Sequence, residues 1–285
     1  MNKKQKRIEQ ITRLHSPLRC PICKGDLKVE DNSRLICSHL HSFDITKQGY
    51  INVLTHKVNS HYDKELFEAR KQIITKTKLY NPLQQLIISH IKELSPGQMI
   101  ADAGCGEGSH LHMILEKLNV TEQKYVGVGL DIAKEAVKMA AGNDDEWIWL
   151  VGDLANLPFT DHSVDVLLNI LSPSNYQEFK RVLREGGIVI KVVPRPNYLF
   201  ELRSALSKNN HYDNQEILQL FKEHFHVISQ KSLHYTVELS SEEKKQLVKM
   251  TPLTWSGQEN TKRLFIEGDH NQITVDLEVI VGKIK

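Results

Sequence analysis

Met99-Ile100-Ala101-Asp102-Ala103-Gly104-Cys105-Gly106-Glu107-Gly108 reads as a buried strand that runs into a glycine loop and then into a helix. Apolar Ile100 and Ala101 suit a strand covered on both faces, and glycines at alternate positions let the backbone turn sharply and approach a ligand without Cβ clashes. Such a turn binds nucleotides, and the flanking residues choose among them. The dinucleotide fingerprint G-x-G-x-x-G/A asks for a third Gly or Ala where Ser109 stands, and it does not call for the acid two residues before the first glycine, Asp102. A carboxylate there can face the ammonium of an amino-acid-like cofactor, which fits S-adenosylmethionine (SAM) better than a pyrophosphate that it would repel. The first candidate cofactor contacts are therefore Asp102, Gly104, Cys105, Gly106, Glu107 and Gly108.

Two further strand ends follow at the expected distances. Tyr125-Val126-Gly127-Val128-Gly129-Leu130-Asp131 reads as the next strand, with Asp131 placed to hold ribose hydroxyls as acids do in other doubly wound sheets. Residues 147–151 give a third strand closed by Gly152-Asp153, where Asp153 can accept from an adenine amino group. The competing reading makes these residues helix caps and turn formers of an ordinary α/β sheet.

A chain of 285 residues with a net charge of +2 allows one large or two unequal domains, and permits a nucleic-acid partner without demanding one. The first thirteen residues are basic but lack an apolar core, so they do not read as a secretory signal, and no segment approaches a membrane span. A cytoplasmic protein is expected. Strand and helix signals alternate from residue 98 onward, with helices expected at 109–118, 133–141 and 176–183, strands at 164–170 and 188–193, further helices near 198–206, 213–224 and 241–249, and a last strand at 273–281. Ahead of them, helical spacing over 64–94 breaks at Asn81-Pro82. The domain reading is 1–60 for an amino-terminal zinc-binding unit, 61–97 for linker and helices, and 98–285 for the catalytic sheet.

Three of the four cysteines lie near the amino terminus. Cys20-Pro21-Ile22-Cys23 has the spacing of a zinc knuckle, and Cys37 with His41 supplies a second pair of ligands. His39 competes for the fourth place, at a tighter spacing from Cys37 that favours His41. A redox C-x-x-C would need a surrounding strand-helix pattern that is missing, and it leaves Cys37 unexplained. Zinc here would be structural, because so short a segment buries too little to fold alone. The next stretch, Ser42 to Leu54, reads as a strand or turn sealing the finger, with Gly49 as its bend.

Taken together, the zinc set, Phe43-Asp44...Lys47-x-Gly49-Tyr50-x-Asn52-x-Leu54, Ala69-Arg70, the Asp102-x-Gly104-Cys105-Gly106-Glu107-Gly108 loop, Leu157-Pro158-Phe159, Pro173 and Met250-Thr251-Pro252-x-x-Trp255 resemble the RlmA-type 23S rRNA (guanine-N1)-methyltransferases. The likeness runs over nearly the whole chain. It departs at Ser109-His110 and around Pro173. It implies a Rossmann-like class I SAM-dependent methyltransferase sheet behind a small zinc-binding domain, and transfer of a methyl group from SAM to N1 of a guanine in a hairpin loop of 23S rRNA. A homodimer is implied as well.

Guanine N1 carries a proton at neutral pH, and the sequence names no base to remove it. Asp44, His61 and Asn169 are candidates for contact with the target, Asn169 also counts among the cofactor contacts, and Pro173 stands where this fold shapes the target-base pocket. Cys105 is read as a small residue against the cofactor rather than a nucleophile. An RNA-facing surface is expected from Lys3, Lys4, Lys6, Arg7, Arg13, Arg19, Lys24, Lys28, Arg34 and Lys47, although Glu9, Asp26, Glu30 and Asp31 are interleaved. Two other functions compete: methylation of a small molecule or protein with the finger as a lid, and a non-catalytic zinc- and SAM-binding RNA assembly protein.

Overall fold

The computed structural model describes residues 2–14, 18–58, 63–94, 99–119, 125–143, 146–206, 213–255 and 257–285. The chain begins with α1 (Lys3–Thr12), where the Asn2 side chain accepts from the Gln5 N–H and Gln5 returns a bond to the Asn2 N–H. Four short antiparallel strands follow: β1 (Leu18–Arg19), β2 (Asp26–Glu30), β3 (Arg34–Ile36) and β4 (Ser42–Asp44). Next come β5 (Tyr50–Asn52), α2 (Lys64–Lys76) and α3 (Asn81–Lys92). The alternating half comprises β6 (Met99–Ala103), α4 (Ser109–Leu118), β7 (Val126–Asp131), α5 (Lys134–Asn143), β8 (Ile148–Val151), β9 (Val164–Ile170), α6 (Tyr176–Val182) and β10 (Leu183–Pro194). It closes with α7 (Phe200–Ala205), α8 (Gln215–His224), β11 (Phe225–Glu238), α9 (Ser241–Met250), α10 (Glu259–Glu267) and β12 (Gln272–Ile284).

The larger sheet runs β11-β12-β10-β9-β6-β7-β8-β5. All neighbours from β10 to β5 are parallel, and β12 and β11 add antiparallel strands at the other edge. The chain leaves β6 toward β7 on one side and returns to β9 on the other, so a crevice opens at the carboxyl ends between β6 and β9, the switch point where such sheets bind ligands. Every residue of β6, β8 and β9 is buried, which is why these stretches are mostly apolar; the exceptions are Asp102, Asp165 and Asn169. The Trp149 ring lies where a Cβ on Gly108 or Gly129 would stand, each within 2.3 Å, so these two glycines make room for one large side chain.

Three features differ from the sequence reading. The stretch read as sealing the finger does so with its first part, β4, which pairs with β3, and turns at Gly49, but its second part is β5, which pairs in parallel with β8 through Tyr50↔Trp149 and Asn52↔Val151 while its Ile51 bridges to Ile45. The strand β11 was not expected; Phe225, Val227, Leu233, Tyr235 and Val237 alternate, but polar Ser229 and Lys231 stand at the same positions of the period and hide it, and the ladder carries a bulge between Val227 and Ser229. Finally, α6 ends at Val182, and β10 begins at Leu183 rather than Ile188.

The small ribbon packs on one face of the large sheet. Ile11, Leu18, Leu27, Leu35 and Phe43 share one buried cluster with Ala101, Val128, Leu157, Phe159 and Phe179. Polar ties add to it: the Arg19 N–H donates to the Pro158 carbonyl, and Lys24 Nζ donates to Asn156 Oδ1 at 2.6 Å. Several residues expected on an RNA-facing surface are engaged here. Arg7 is fully buried with Nε donating to the Gly49 carbonyl at 2.7 Å, Lys3 Nζ donates to the Ala141 carbonyl, Arg19 pairs with Asp161, and Arg34 pairs with Glu30. Among the described residues, no helix is long and apolar enough to cross a membrane.

Candidate functional site

Two chain turns bring the four candidate zinc ligands together. In the first, the Lys24 N–H donates to the Cys20 carbonyl and the Cys20 N–H to that of Gly25; in the second, the Leu40 N–H donates to the Cys37 carbonyl and the Cys37 N–H to that of His41. Lys24 and Leu40 adopt positive φ to close these turns. One ligand atom from each of Cys20, Cys23, Cys37 and His41 lies within 4.8 Å of all the others. The edges measured are 3.5 Å for Cys23 Sγ to Cys37 Sγ, 3.4 Å for Cys37 Sγ to His41 Nδ1 and 3.7 Å for Cys20 Sγ to His41 Nδ1. A tetrahedron with arms of about 2.0 to 2.3 Å has edges of about 3.5 to 3.8 Å, so the set fits Zn²⁺. Desolvation pushes the Cys37 thiol up, but hydrogen bonds from Cys23 and from the backbone at His39 and His41 outweigh it and bring the thiol down to about 7, toward the thiolate that a metal needs. His39 is exposed and outside the cluster, and His41 stands at its fourth corner.

The second site lies over the glycine loop. Gly104, Gly106 and Gly108 all have positive φ. The Gly106 N–H donates to Asp131 Oδ2 at 2.7 Å and the Ala133 N–H to Asp131 Oδ1 at 2.8 Å, which fixes this carboxylate at the end of β7. Asp153, beyond β8 and Gly152, accepts from the Ala155 N–H at 2.9 Å and has His56 Nε2 at 3.7 Å. A cavity of about 510 Å³ is lined by Gly104, Gly106, Asp131, Asp153, Ser172 and Pro173, among others. That volume falls within the ordinary range for small-molecule sites.

Asp102 is 2 % exposed and its Oδ1 has no hydrogen-bond partner. Burial raises its carboxyl to about 7; the charges of Asp131 and Glu107 push the same way, and Arg70 opposes them. A buried, unpartnered carboxyl oxygen beside a glycine loop fits the amino group of an amino-acid cofactor. Glu107 is buried too, and Arg70 Nε from α2 lies 3.2 Å from its Oε2. Cys105 is buried and its thiol is raised well above the ordinary value, chiefly by burial, so it is no thiolate nucleophile.

The remaining expected residues are distributed as follows. Asn169 is fully buried, its Nδ2 donating to the Ala103 and Pro173 carbonyls at 2.6 and 2.9 Å and its Oδ1 accepting from Ser174 Oγ and Lys191 Nζ. It thus holds the 171–174 loop against the end of β6. Asp44 is exposed on the ribbon opposite Arg34 and lines neither this cavity nor its neighbour. His61 lies outside the described residues. Residues given no role by sequence are also present: Leu66, Phe67 and Arg70 from α2, with Met250 at the end of α9 and Pro252 just after it, line the cleft. Ala69-Arg70 and Met250-Thr251-Pro252 were legible only as marks of a family. A second cavity of about 430 Å³ adjoins the first, sharing Arg70, Leu171, Ser172, Pro173, Met250 and Pro252 with it.

Residues 18–59 match a family described as "RlmA, N-terminal", a zinc ribbon, and residues 94–261 match a methyltransferase domain family. A relative from Bacillus subtilis, provisionally named a 23S rRNA (guanine-N1)-methyltransferase, is 37% identical over 274 residues, covering 94% of this chain and 97% of that one. A relative from Streptomyces fradiae, named 23S rRNA (guanine(748)-N1)-methyltransferase, is 30% identical over 84% of this chain and 85% of its own length. Among solved structures, a chain of the complex between the Haloferax volcanii Trm112 methyltransferase activator and a methyltransferase superposes with a TM-score of 0.50 and 18% identity, covering 80% of this chain and 99% of that one; this likeness is one of fold.

Proposed function

Since the chain belongs to the 23S rRNA (guanine-N1)-methyltransferase family, we propose that it transfers the methyl group of SAM to N1 of a guanine in a hairpin loop of 23S rRNA. The observation that carries this reading is the pairing of a zinc ribbon of the RlmA kind with a cleft whose acids and glycines fit SAM, in a chain that matches such enzymes along nearly its full length.

When bound, SAM supplies an activated sulfonium methyl; the protein aligns the acceptor with it and keeps water away. In this reading Asp102 faces the amino group, Asp131 holds the ribose, and Gly152-Asp153 meets the adenine. The backbone of Gly104, Cys105, Gly106 and Gly108 lies close to the cofactor, and the Arg70–Glu107 pair ties α2 to the same loop. Residues 1–60 contribute rRNA recognition beside the catalytic unit of residues 98–285, with 61–97 between them. The hairpin loop presents an unstacked base, which a methyltransferase needs because N1 is hidden in a paired helix. A ribosomal RNA substrate supports a cytoplasmic location. A homodimer in which two ribbons embrace one hairpin follows from the family resemblance, and sedimentation of the protein would read it.

The test is incubation with labelled SAM and unmodified 23S rRNA, followed by primer extension, which stops at N1-methylguanine. One stop at a loop guanine is the expected result. Absence of label in the RNA, with zinc and SAM both bound, would sink the reading.

Asp102 gives the cofactor step a pH signature. An acid raised to about 7 in the folded protein makes the unliganded fold less stable as pH climbs from the ordinary carboxylate range toward 7. A ligand ammonium favours the ionised form, so binding is strongest above pH 7 and releases a proton below it. Affinity for S-adenosylhomocysteine should fall about tenfold between pH 8 and pH 6. Calorimetry on the wild type and on Asp102→Asn checks this, and a pH-independent affinity in the wild type rules the role out.

A further inference from the structure

The second cavity holds chemistry that the cofactor does not use. Lys191 of β10 lines it while being only 3 % exposed. Its Nζ donates to Asn169 Oδ1 at 2.6 Å and to the Ser172 carbonyl at 2.5 Å. A neutral amine has two N–H groups and one lone pair, so these two acceptors satisfy its donors and leave the lone pair over. Ser172 ties this nitrogen to the methyl-donor cleft: its Oγ lies 1.9 Å from where a Cβ on Gly104 would stand, directly against the glycine loop. The two cavities meet along Arg70, Leu171, Ser172 and Pro173. A base seated in the second cavity is therefore adjacent both to the donor and to Lys191.

We propose that Lys191 is the catalytic base of the reaction, its amine taking the N1 proton of the target guanine in the cavity of Lys191, His110, Tyr80 and Tyr198. The proposal rests on the guanine-N1 reading above. The N1–H bond gives its proton to Nζ and its electron pair to the bond forming between N1 and the methyl carbon, while the carbon–sulfur pair returns to sulfur. The products are N1-methylguanine, a neutral thioether and a Lys191 ammonium. One positive charge enters the step on sulfur and one leaves it on Nζ, so no net charge is created in a buried site.

The surroundings favour this assignment. Burial lowers the Lys191 amine to about 8, so a substantial part of it is neutral near pH 7.5. Facing the same cavity are Arg70 from α2, Tyr80 ahead of α3, His110 from α4 and Tyr198 after β10. Tyr176 of α6 is raised above its ordinary value by burial, and Glu278 of β12 is held by Gln230, Ser232 and Arg195. The other nitrogen base of the cavity, His110, is driven down to about 3, chiefly by burial, and is a poor proton acceptor. Its buried Nδ1 has no hydrogen-bond partner and is suited to reading the polar edge of a base.

The test compares wild type, Lys191→Met and Lys191→Ala in single-turnover methylation of unmodified 23S rRNA from pH 6.5 to 9.5. It also follows the 13Cε NMR signal of Lys191 in the unliganded protein, assigned by its loss in Lys191→Met. Expected are a rate at least about a hundredfold lower for Lys191→Met at pH 7.5 with affinity for S-adenosylhomocysteine within about threefold of wild type. The wild-type rate should level off above about pH 8 while that of Lys191→Met keeps rising. Ethylamine should restore Lys191→Ala by about tenfold or more, and the NMR signal should titrate near 8. Lys191→Met within about threefold of wild type, a slow Lys191→Ala that ethylamine does not rescue, or an NMR titration above about 10 each overturns the proposal. Wild-type protein that methylates no rRNA fails the functional reading and takes this proposal with it; active wild type with an active Lys191→Met fails this proposal alone.

Discussion

Replacing Gly104 with Ala is expected to weaken cofactor binding strongly while leaving the fold intact. The added Cβ would stand 1.9 Å from Ser172 Oγ and 2.7 Å from Ser172 Cβ, and the φ of +89° is one that side chains rarely adopt. Rotating the hydroxyl away relieves only the first clash. The Ser172 backbone cannot easily retreat, because Lys191 holds its carbonyl and the Leu171 N–H is bonded to Val192. The loop must give instead, at a cost of about 1 to 3 kcal/mol for the backbone conformation alone. Affinity for S-adenosylhomocysteine should drop by about a hundredfold or more, read by calorimetry. Gly142→Ala is the control, since a Cβ there meets nothing within 4 Å. Adding Ser172→Gly to Gly104→Ala should recover part of the affinity, and wild-type affinity in the single variant would show the loop to be more pliant than its bonds suggest.

Loss of one zinc ligand should have the larger effect on stability. Cys37→Ser is expected to bring bound zinc from one ion per chain to none, and to expose residues 18–46 to hydrogen exchange. Structural zinc sites of this ligand type contribute about 10 to 16 kcal/mol to folding in isolated fingers, far more than the apolar contacts of so small a ribbon. Leu18, Leu27, Leu35 and Phe43 belong to the same buried cluster as Ala101 and Phe159, so the damage should reach the large sheet and lower the main melting transition as well. His39→Ala should change neither zinc content nor melting. Retention of zinc by Cys37→Ser, measured by elemental analysis, would show that the cluster is not the metal site.

The central strands were legible because they are buried on both faces, so a run such as Val164 to Ile170 is mainly apolar and too short to be mistaken for a long helix. The glycine loop and the C-x-x-C knuckle were legible because their chemistry fixes residue type at short spacing. Arg70 had no such signal: it reaches Glu107 only after α2 has packed across the sheet, a contact that local spacing does not encode. Lys191 reads in sequence as an awkward charge within an apolar strand, and its partners Asn169 and Ser172 come from the neighbouring strand and loop. Within the basic amino terminus, Arg7 misled for the converse reason. Arg7 looks like a surface charge until the Gly49 turn closes over it.

The pairing of β5 with β8 has a consequence for the order of assembly. Tyr50 is made well before Trp149, so the ribbon can gather its ligands while the strand it must meet is still unmade. Until β8 arrives, the backbone of residues 50–52 has no sheet to join, and until β5 docks, β8 is an open edge able to pair with another chain. Metal loading and sheet closure are thus successive steps along one polypeptide. A chain starved of zinc would reach the second step with its outermost strand poorly held, and self-association through Ile148 to Val151 is the failure to look for.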